Sequence, residues 1–119
     1  MARFRVSAPA AEDVAAILDA SEERWGTAPS DRYASLLAAA MQAAANHPEG
    51  PLTRPRPELP GRVRSIHTRA VRGSPRTVKK PVHVIIYRII EPELVEIVRV
   101  LHECMDPSRH FPTKRRRRR

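Results

Sequence analysis

The chain has 119 residues, of which 41% are apolar and 29% charged, and a formal net charge of +9. This length and composition predict one domain with one modest core, and no run approaches the ~20 apolar residues that a membrane-spanning helix needs. Because the N-terminal residues lack an apolar stretch and Cys104 has no second cysteine to pair with, we expect a cytoplasmic protein.

The positive charge is concentrated late in the chain. Residues 1–50 carry four basic and seven acidic side chains, whereas residues 51–119 carry eighteen basic and six acidic ones. Six of those cations belong to residues 114–119. A block of like charges repels itself and stays solvated. We therefore expect residues 1–111 to form the domain and residues 112–119 to be a disordered tail, able to contact nucleic acid non-specifically.

The first half of the sequence predicts a strand followed by two helices. Residues 3–6 alternate polar and apolar side chains, as in a strand with one buried face. Apolar residues recur at helical spacing over residues 14–25, with Trp25 as an expected core anchor, and Gly26 ends this helix. An alanine-rich apolar stripe over residues 33–44 predicts the second helix. The short turn between them predicts an antiparallel helical hairpin.

The second half predicts a proline-rich connection and three strands. Residues 48–60 contain five prolines, so we expect a surface loop that contributes no core element. Residues 62–68 are interpreted as a strand. Residues 82–90 and 94–102 are rich in β-branched side chains and predict an antiparallel hairpin whose two faces are both covered. The order β-α-α-β-β-β predicts a two-layer α+β domain, with the helical hairpin packed on a small antiparallel sheet.

Several short motifs follow one another in a fixed order between residues 3 and 111. They are Glu23-Arg24-Trp25-Gly26, Asn46-His47-Pro48-Glu49-Gly50, Arg62-Val63-Arg64-Ser65, His83 with Tyr87-Arg88, and Arg99-Val100-Leu101-His102-Glu103-Cys104-Met105-Asp106-Pro107. In this order they resemble the motifs of the ParE/RelE superfamily of bacterial toxins, and of its ParE branch in particular. The proline-rich residues 51–60 and the poly-arginine end depart from that pattern.

The resemblance implies the toxin of a type II toxin–antitoxin pair, neutralised by a cognate ParD-like antitoxin. In such pairs the antitoxin lays an amphipathic segment over apolar surface of the toxin, and the apolar Ile85, Ile86, Val98 and Val100 agree with such an interface. ParE-type members are understood to inhibit DNA gyrase, whereas RelE-type members cut mRNA on the ribosome. The fold is shared, so it does not distinguish the two activities. No cofactor is implied.

An mRNA endonuclease, the alternative function, needs side chains that activate a ribose hydroxyl, stabilise the phosphate and protonate the leaving oxygen. The candidates are Arg64, His67, His83, Tyr87 and Arg99. We favour a different interpretation, in which His83, Tyr87, Arg99 and His102 form a polar network that holds the sheet. No metal site is expected, because His67, His102 and Cys104 lack a zinc-site spacing.

The favoured hypothesis is therefore a non-catalytic toxin that occupies a topoisomerase surface. A third hypothesis is a degenerate module that binds only its antitoxin. If the first holds, the basic second half of the chain supplies the target contacts. Charge alone selects Arg62, Arg64, Arg69, Arg72, Arg76, Lys79 and Lys80.

Overall fold

The computed structural model describes residues 2–71 and 80–111. The strands are β1 (Arg3–Val6), β2 (Thr53–Pro55), β3 (Arg64–His67), β4 (His83–Glu91) and β5 (Leu94–His102). The helices are α1 (Ala8–Trp25) and α2 (Thr27–Asn46), and two short 3-10 helices span Thr68–Val71 and Pro107–His110. The strands form one sheet in the order β1-β5-β4-β3-β2, with both helices packed on one face.

The predicted α+β class and the helical hairpin on a sheet are confirmed. The sheet is mixed rather than wholly antiparallel, because β1 runs parallel to β5. The expectation that residues 48–60 contribute no element to the core layers is wrong, since β2 lies within them and pairs antiparallel with β3. Pro55 is tolerated there because an edge strand leaves one side of its backbone unpaired. The predicted tail, residues 112–119, lies outside the described residues.

Side chains and backbone at both ends of α1 explain where it begins and ends. The Ser7 hydroxyl accepts a hydrogen bond from the Ala10 backbone N–H at 3.2 Å, which caps the first turn. Gly26 ends the helix with φ at 92° and ψ at 178°, a conformation that side-chain-bearing residues rarely adopt. The next residue already belongs to α2. Trp25 is 67% exposed rather than a core anchor, with the Arg24 guanidinium 5.8 Å from the centre of its rings.

The main core lies between the helices and the sheet. Most of the helical residues buried in this core belong to α2, whereas α1 fully buries only Ala10. The buried residues of α2 in this core are Leu37, Ala40, Met41, Ala44 and Ala45. They meet a sheet surface made of Ile66, Ile85, Tyr87, Val95, Ile97 and Val100. The alanines of α2 let its backbone approach the sheet closely, so the contact stays well packed without large aromatic side chains.

A second, smaller core covers part of the opposite face of the sheet. It consists of Leu59, Val63, Ile86, Leu101 and Phe111. The prediction that both faces of the β4–β5 hairpin are covered is thus confirmed, and the chain itself supplies this cover. Ile85, Ile86 and Val100, which we expected to present apolar surface to an antitoxin, are at most 2% exposed. In the chain as described they are not free for such a contact.

The outer edge of β5 is completed by the beginning of α1. Strand β1 pairs with β5 only as far as Ile97. Beyond that point the Ser7 hydroxyl donates to the Val98 carbonyl at 3.1 Å, and the Val100 N–H donates to Asp13 Oδ2 at 2.9 Å. Two side chains therefore satisfy backbone groups that a longer β1 would have paired.

Asp13 also binds Arg99 through both carboxylate oxygens. Arg99 Nε donates to Oδ2 at 2.7 Å and Nη2 donates to Oδ1 at 2.8 Å, while Nη1 donates to the His110 carbonyl at 3.2 Å. The hydrogen bond to Asp13 is the main reason that the pKa of Arg99 is raised above its ordinary value. One carboxylate thus joins α1, β5 and the last 3-10 helix.

We expect Asp13→Ala to lower the free energy of unfolding by about 2–3 kcal/mol. The change leaves the Val100 N–H and a largely buried guanidinium without their acceptor, and the cost is below that of a fully buried pair because both side chains remain partly exposed. Urea denaturation followed by circular dichroism measures it. Asp19→Ala, on the exposed side of α1, is the control and should cost no more than about 0.5 kcal/mol. Equal losses in the two variants would contradict the assignment.

Candidate functional site

The five candidates for RNA cleavage do not meet in one place. Arg64 lies directly opposite Tyr87 in the sheet, on the face that carries the helices. His83 is on this face as well, because its ring contacts Tyr33 of α2. His67 lies opposite Val84, on the other face. Arg99 is bound at the outer edge of β5.

Tyr87 and Arg64 fasten the turn that follows α2 to the sheet. The fully buried Tyr87 donates its hydroxyl proton to the Pro48 carbonyl at 2.6 Å. Arg64 Nη2 donates to Thr53 Oγ1 at 2.9 Å, and Thr53 in turn donates to the Gly50 carbonyl at 2.8 Å. Burial raises the pKa of the Tyr87 phenol. The phenol therefore keeps its proton even at alkaline pH values at which a free tyrosine begins to lose it, and its contact with Pro48 shapes residues 48–53.

His83 is a neutral acceptor in a contact between β4 and α2. The Tyr33 hydroxyl lies 2.6 Å from His83 Nδ1 and also accepts the Val82 N–H at 3.2 Å. Burial raises the pKa of the Tyr33 phenol, so the hydroxyl keeps a proton that it can donate to Nδ1 of the neutral imidazole. The pKa of His83 is lowered from 6.5 to about 4, first by burial and then by the nearby His102 and His67, with Glu103 opposing.

The structure divides the proposed polar network into separate contacts. The rings of His83 and His102 meet edge to face with centroids 5.6 Å apart, whereas Tyr87 bonds to Pro48 and Arg99 to Asp13. The histidine rings join β4 to β5 within the sheet, whereas Tyr87 and Arg99 bind segments outside it. The polar side chains of the hairpin thus act locally, and they do not form a single cluster.

The basic positions chosen by charge differ in their exposure. Arg62, Arg69 and Lys80 are exposed, and Arg62 has a positive φ of 54°. Arg64 is only partly exposed, and its Nε is buried with no hydrogen-bond partner among the described residues. Arg72, Arg76 and Lys79 lie outside the described residues.

A groove of about 400 Å³ opens on the face of the sheet away from the helices, and we call it the basic groove. Its polar lining is Arg54, Arg56, Ser65, His67 and Arg69. Its apolar lining is Pro51, Leu52, Ala70 and Val84. Sequence analysis selected Arg69 but missed Arg54 and Arg56. Their spacing of two residues would have placed them on one face if the segment had been recognised as a strand.

Two acidic residues contact cations of the basic groove. Arg56 Nη1 lies 3.1 Å from Glu58 Oε2, while Arg56 Nε donates to the Ser65 hydroxyl at 2.9 Å. Glu103 Oε1 lies 2.7 Å from His67 Nε2 and 3.7 Å from Arg69 Nη1. The hydrogen bond from His67 is the main reason that the pKa of Glu103 is lowered.

The described part of the chain has neither a metal-binding cluster nor a membrane-spanning helix. Residues 2–71 and 80–111 contain no group of three or more His, Cys, Asp or Glu side chains placed to hold a metal ion. None of the helices in these ranges is long and apolar enough to cross a membrane.

Comparison with known proteins identifies the family. The family model described as "ParE toxin of type II toxin-antitoxin system, parDE" matches residues 4–107. The chain belongs to the ParE toxin family. It is also 34% identical over 111 residues to Toxin ParE1 of Caulobacter vibrioides. The aligned residues cover 93% of this chain and 99% of that protein. The resemblance to ParE-type toxins is thus confirmed, and the match includes the proline-rich residues 51–60 that depart from the expected pattern.

We expect Tyr87→Phe in this ParE toxin to lower the free energy of unfolding by about 1–2 kcal/mol. The substitution keeps the buried ring but leaves the Pro48 carbonyl without its donor. Urea denaturation measures the change. Because phenylalanine keeps the buried ring, any loss reports the hydroxyl and not the packing. A loss below about 0.5 kcal/mol, typical of a neutral surface substitution, would show that the hydroxyl does not fasten this turn.

We expect the protein to lose stability as pH falls from about 6.5 through about 4, in part because of His83. Over this range the unfolded chain binds a proton that the folded His83 excludes, so lower pH favours unfolding. His83→Gln cannot titrate and keeps an acceptor for Tyr33, so its unfolding free energy should fall less between about pH 7 and about pH 5. His47→Gln, at the exposed end of α2, is the control. The same pH slope in His83→Gln as in the wild type would contradict this assignment.

Proposed function

We propose that this ParE-family toxin inhibits DNA gyrase in the cytoplasm and is neutralised by a cognate ParD-like antitoxin. The observation that carries the proposal is the family match over residues 4–107, which takes in nearly every helix and strand. The family is the toxin half of a toxin–antitoxin system. A toxin of such a pair needs a partner that silences it, and gyrase is the target that the ParE branch implies.

The contacts of the candidate cleavage residues support a binding mechanism over RNA cleavage. The Tyr87 hydroxyl, the His83 Nδ1 and the Arg99 guanidinium each have a protein partner within 2.6–2.8 Å. These partners are Pro48 in the turn after α2, Tyr33 in α2 and Asp13 in α1. An endonuclease built from this set would have to break several of these contacts before the groups could meet at one phosphate.

Target contacts are proposed at the exposed basic positions. Arg62, Arg69 and Lys80 are exposed among the described residues, and the sequence adds Arg72, Arg76 and Lys79 to the same stretch. Arg64 is the least suited of the original set, because its guanidinium bonds to Thr53. The six cations of residues 114–119 would add non-specific attraction to nucleic acid, which weakens as salt increases.

A supercoiling and DNA-cleavage assay with purified gyrase at fixed salt tests the proposal. We expect the full chain to abolish supercoiling and to cause cleaved DNA to accumulate, and added antitoxin to restore supercoiling. Arg62→Glu/Lys80→Glu should weaken inhibition about tenfold or more, as expected for loss of contacts at a steered, charge-complementary interface. Arg24→Glu/Arg32→Glu makes the same charge change on the helical hairpin and is the matched control.

Two other outcomes would point elsewhere. Unaffected gyrase together with cleavage of mRNA on programmed ribosomes would favour the endonuclease. Antitoxin binding without either effect would favour a degenerate module. Equal weakening by the two charge reversals would leave gyrase as the target but reject Arg62 and Lys80 as its contacts.

A further inference from the structure

The basic groove shares only Arg69 with the proposed gyrase contacts. Its guanidinium groups come from two sides, with Arg54 and Arg56 from β2 and the residue after it, and Arg69 from the 3-10 helix that follows β3. The His67 imidazole lies at the end of β3. None of its nine lining residues is acidic. The groove therefore concentrates positive charge over a partly apolar surface, away from the helices.

The sequence around the groove residues of β3 and the following 3-10 helix is free of acidic side chains. No acidic residue occurs between Glu58 and Glu91, the stretch that supplies Ser65, His67 and Arg69. Like charges that line a concave, low-dielectric surface strengthen the field inside it and attract a ligand of opposite charge. The ligand should accordingly be a polyanion, with charges repeated along its length.

Arg56 is held in place before any ligand arrives. Its Nε donates to the buried Ser65 hydroxyl, its backbone N–H donates to the Val63 carbonyl at 3.0 Å, and its side chain is only 16% exposed. A fixed guanidinium loses little freedom when it binds. Because Nε donates to Ser65 and Nη1 contacts Glu58, the contact of Arg56 with a phosphate oxygen falls to Nη2. Arg69, at 63% side-chain exposure, remains free to adjust.

Glu103 occupies part of the position that an anion would take. Its carboxylate contacts His67 closely but Arg69 only at 3.7 Å. An incoming phosphate can displace the weaker of these contacts at little cost, because an exposed ion pair contributes about 0–1 kcal/mol. Glu103 therefore lowers the affinity of the groove for anions without closing it.

We propose that the basic groove binds a nucleic-acid strand by its phosphodiester backbone, through Arg54, Arg56 and Arg69. The groove offers no aromatic ring other than the His67 imidazole for bases to stack on, so recognition would rest on phosphates and tolerate any sequence. An acidic peptide is less suitable, because the planar guanidinium groups of Arg54, Arg56 and Arg69 can meet a phosphate at each unit of a strand, whereas the carboxylates of a peptide are less regularly spaced. This proposal concerns binding alone, and it holds whether or not gyrase is the target.

Fluorescence anisotropy with a short labelled oligothymidine, measured over a salt series, tests the proposal with the full chain. We expect Arg54→Ala/Arg69→Ala to weaken binding about tenfold at low salt and to reduce the slope of log K against log salt by about 1.4, the value for two lost phosphate contacts with a single strand. Arg24→Ala/Arg32→Ala removes the same charge from the helical hairpin and should change affinity by less than about twofold, since it leaves the groove intact. Glu103→Gln should tighten binding about threefold, since it removes a competing carboxylate.

Three results would overturn the proposal. The first is an equal loss in the two double variants, which would reduce the binding to net charge and to the basic tail. The second is no loss in Arg54→Ala/Arg69→Ala. The third is a result in which Arg54→Ala/Arg69→Ala abolishes binding of a labelled poly-glutamate probe but leaves oligothymidine binding unchanged. It would assign the groove to an acidic peptide.

Mapping on the wild-type chain gives an answer that does not depend on the variants. Titration of the same oligothymidine into isotope-labelled protein should shift the backbone amide signals of Arg54, Ser65, His67 and Arg69. Shifts confined to other parts of the chain would reject the groove even if the variants failed to fold. A gyrase assay plays no part in either measurement, so failure of the proposed target and failure of the groove remain distinguishable.

Discussion

The carboxylate of Asp13 on α1 hydrogen-bonds to the edge of β5 beyond the point where β1 ends. Strand β1 pairs with β5 only as far as Ile97, so the following residues of β5 have no strand on that side. Backbone groups at a covered edge need partners. Asp13 accepts the Val100 N–H and holds Arg99, which in turn binds the His110 carbonyl. The position of α1 over the sheet and the path of residues 107–111 both follow from this one acceptor.

The two faces of the sheet are used in different ways. The helices fill one face, so its polar residues, such as Tyr87 and His83, serve as fastenings between layers. The other face is shared between a small core and the basic groove, which meet at Val84. This second face is better suited to a binding site, because charged residues there do not have to be buried in the main core. The fold thereby separates the residues that hold it from those available to a partner.

Much of this architecture could be predicted from local patterns, and the rest could not. Helical periodicity gave both helices, and two β-branched runs around Glu91-Pro92-Glu93 gave the β4–β5 hairpin. Strand β2 was missed because Pro55 and the other prolines of residues 48–60 argue against a strand, while its pairing depends on β3 about ten residues away. The contact between Asp13 and Arg99 spans 86 positions and leaves no local signal. The groove was half predicted, since charge selected Arg69 but gave no reason to join it to Arg54.

Gly26 fixes the rotational phase of the second helix. Because α2 begins at the very next residue, no loop separates the helices to absorb a change of length. One inserted residue would turn α2 by about 100° about its axis, carrying Leu37 and Met41 from the sheet towards solvent. Insertions and deletions at this end of the molecule should therefore be poorly tolerated. A change of length between β2 and β3 would leave the rotation of α2 unchanged, but it would move Leu59 and Val63 of the smaller core together with Arg56 of the groove.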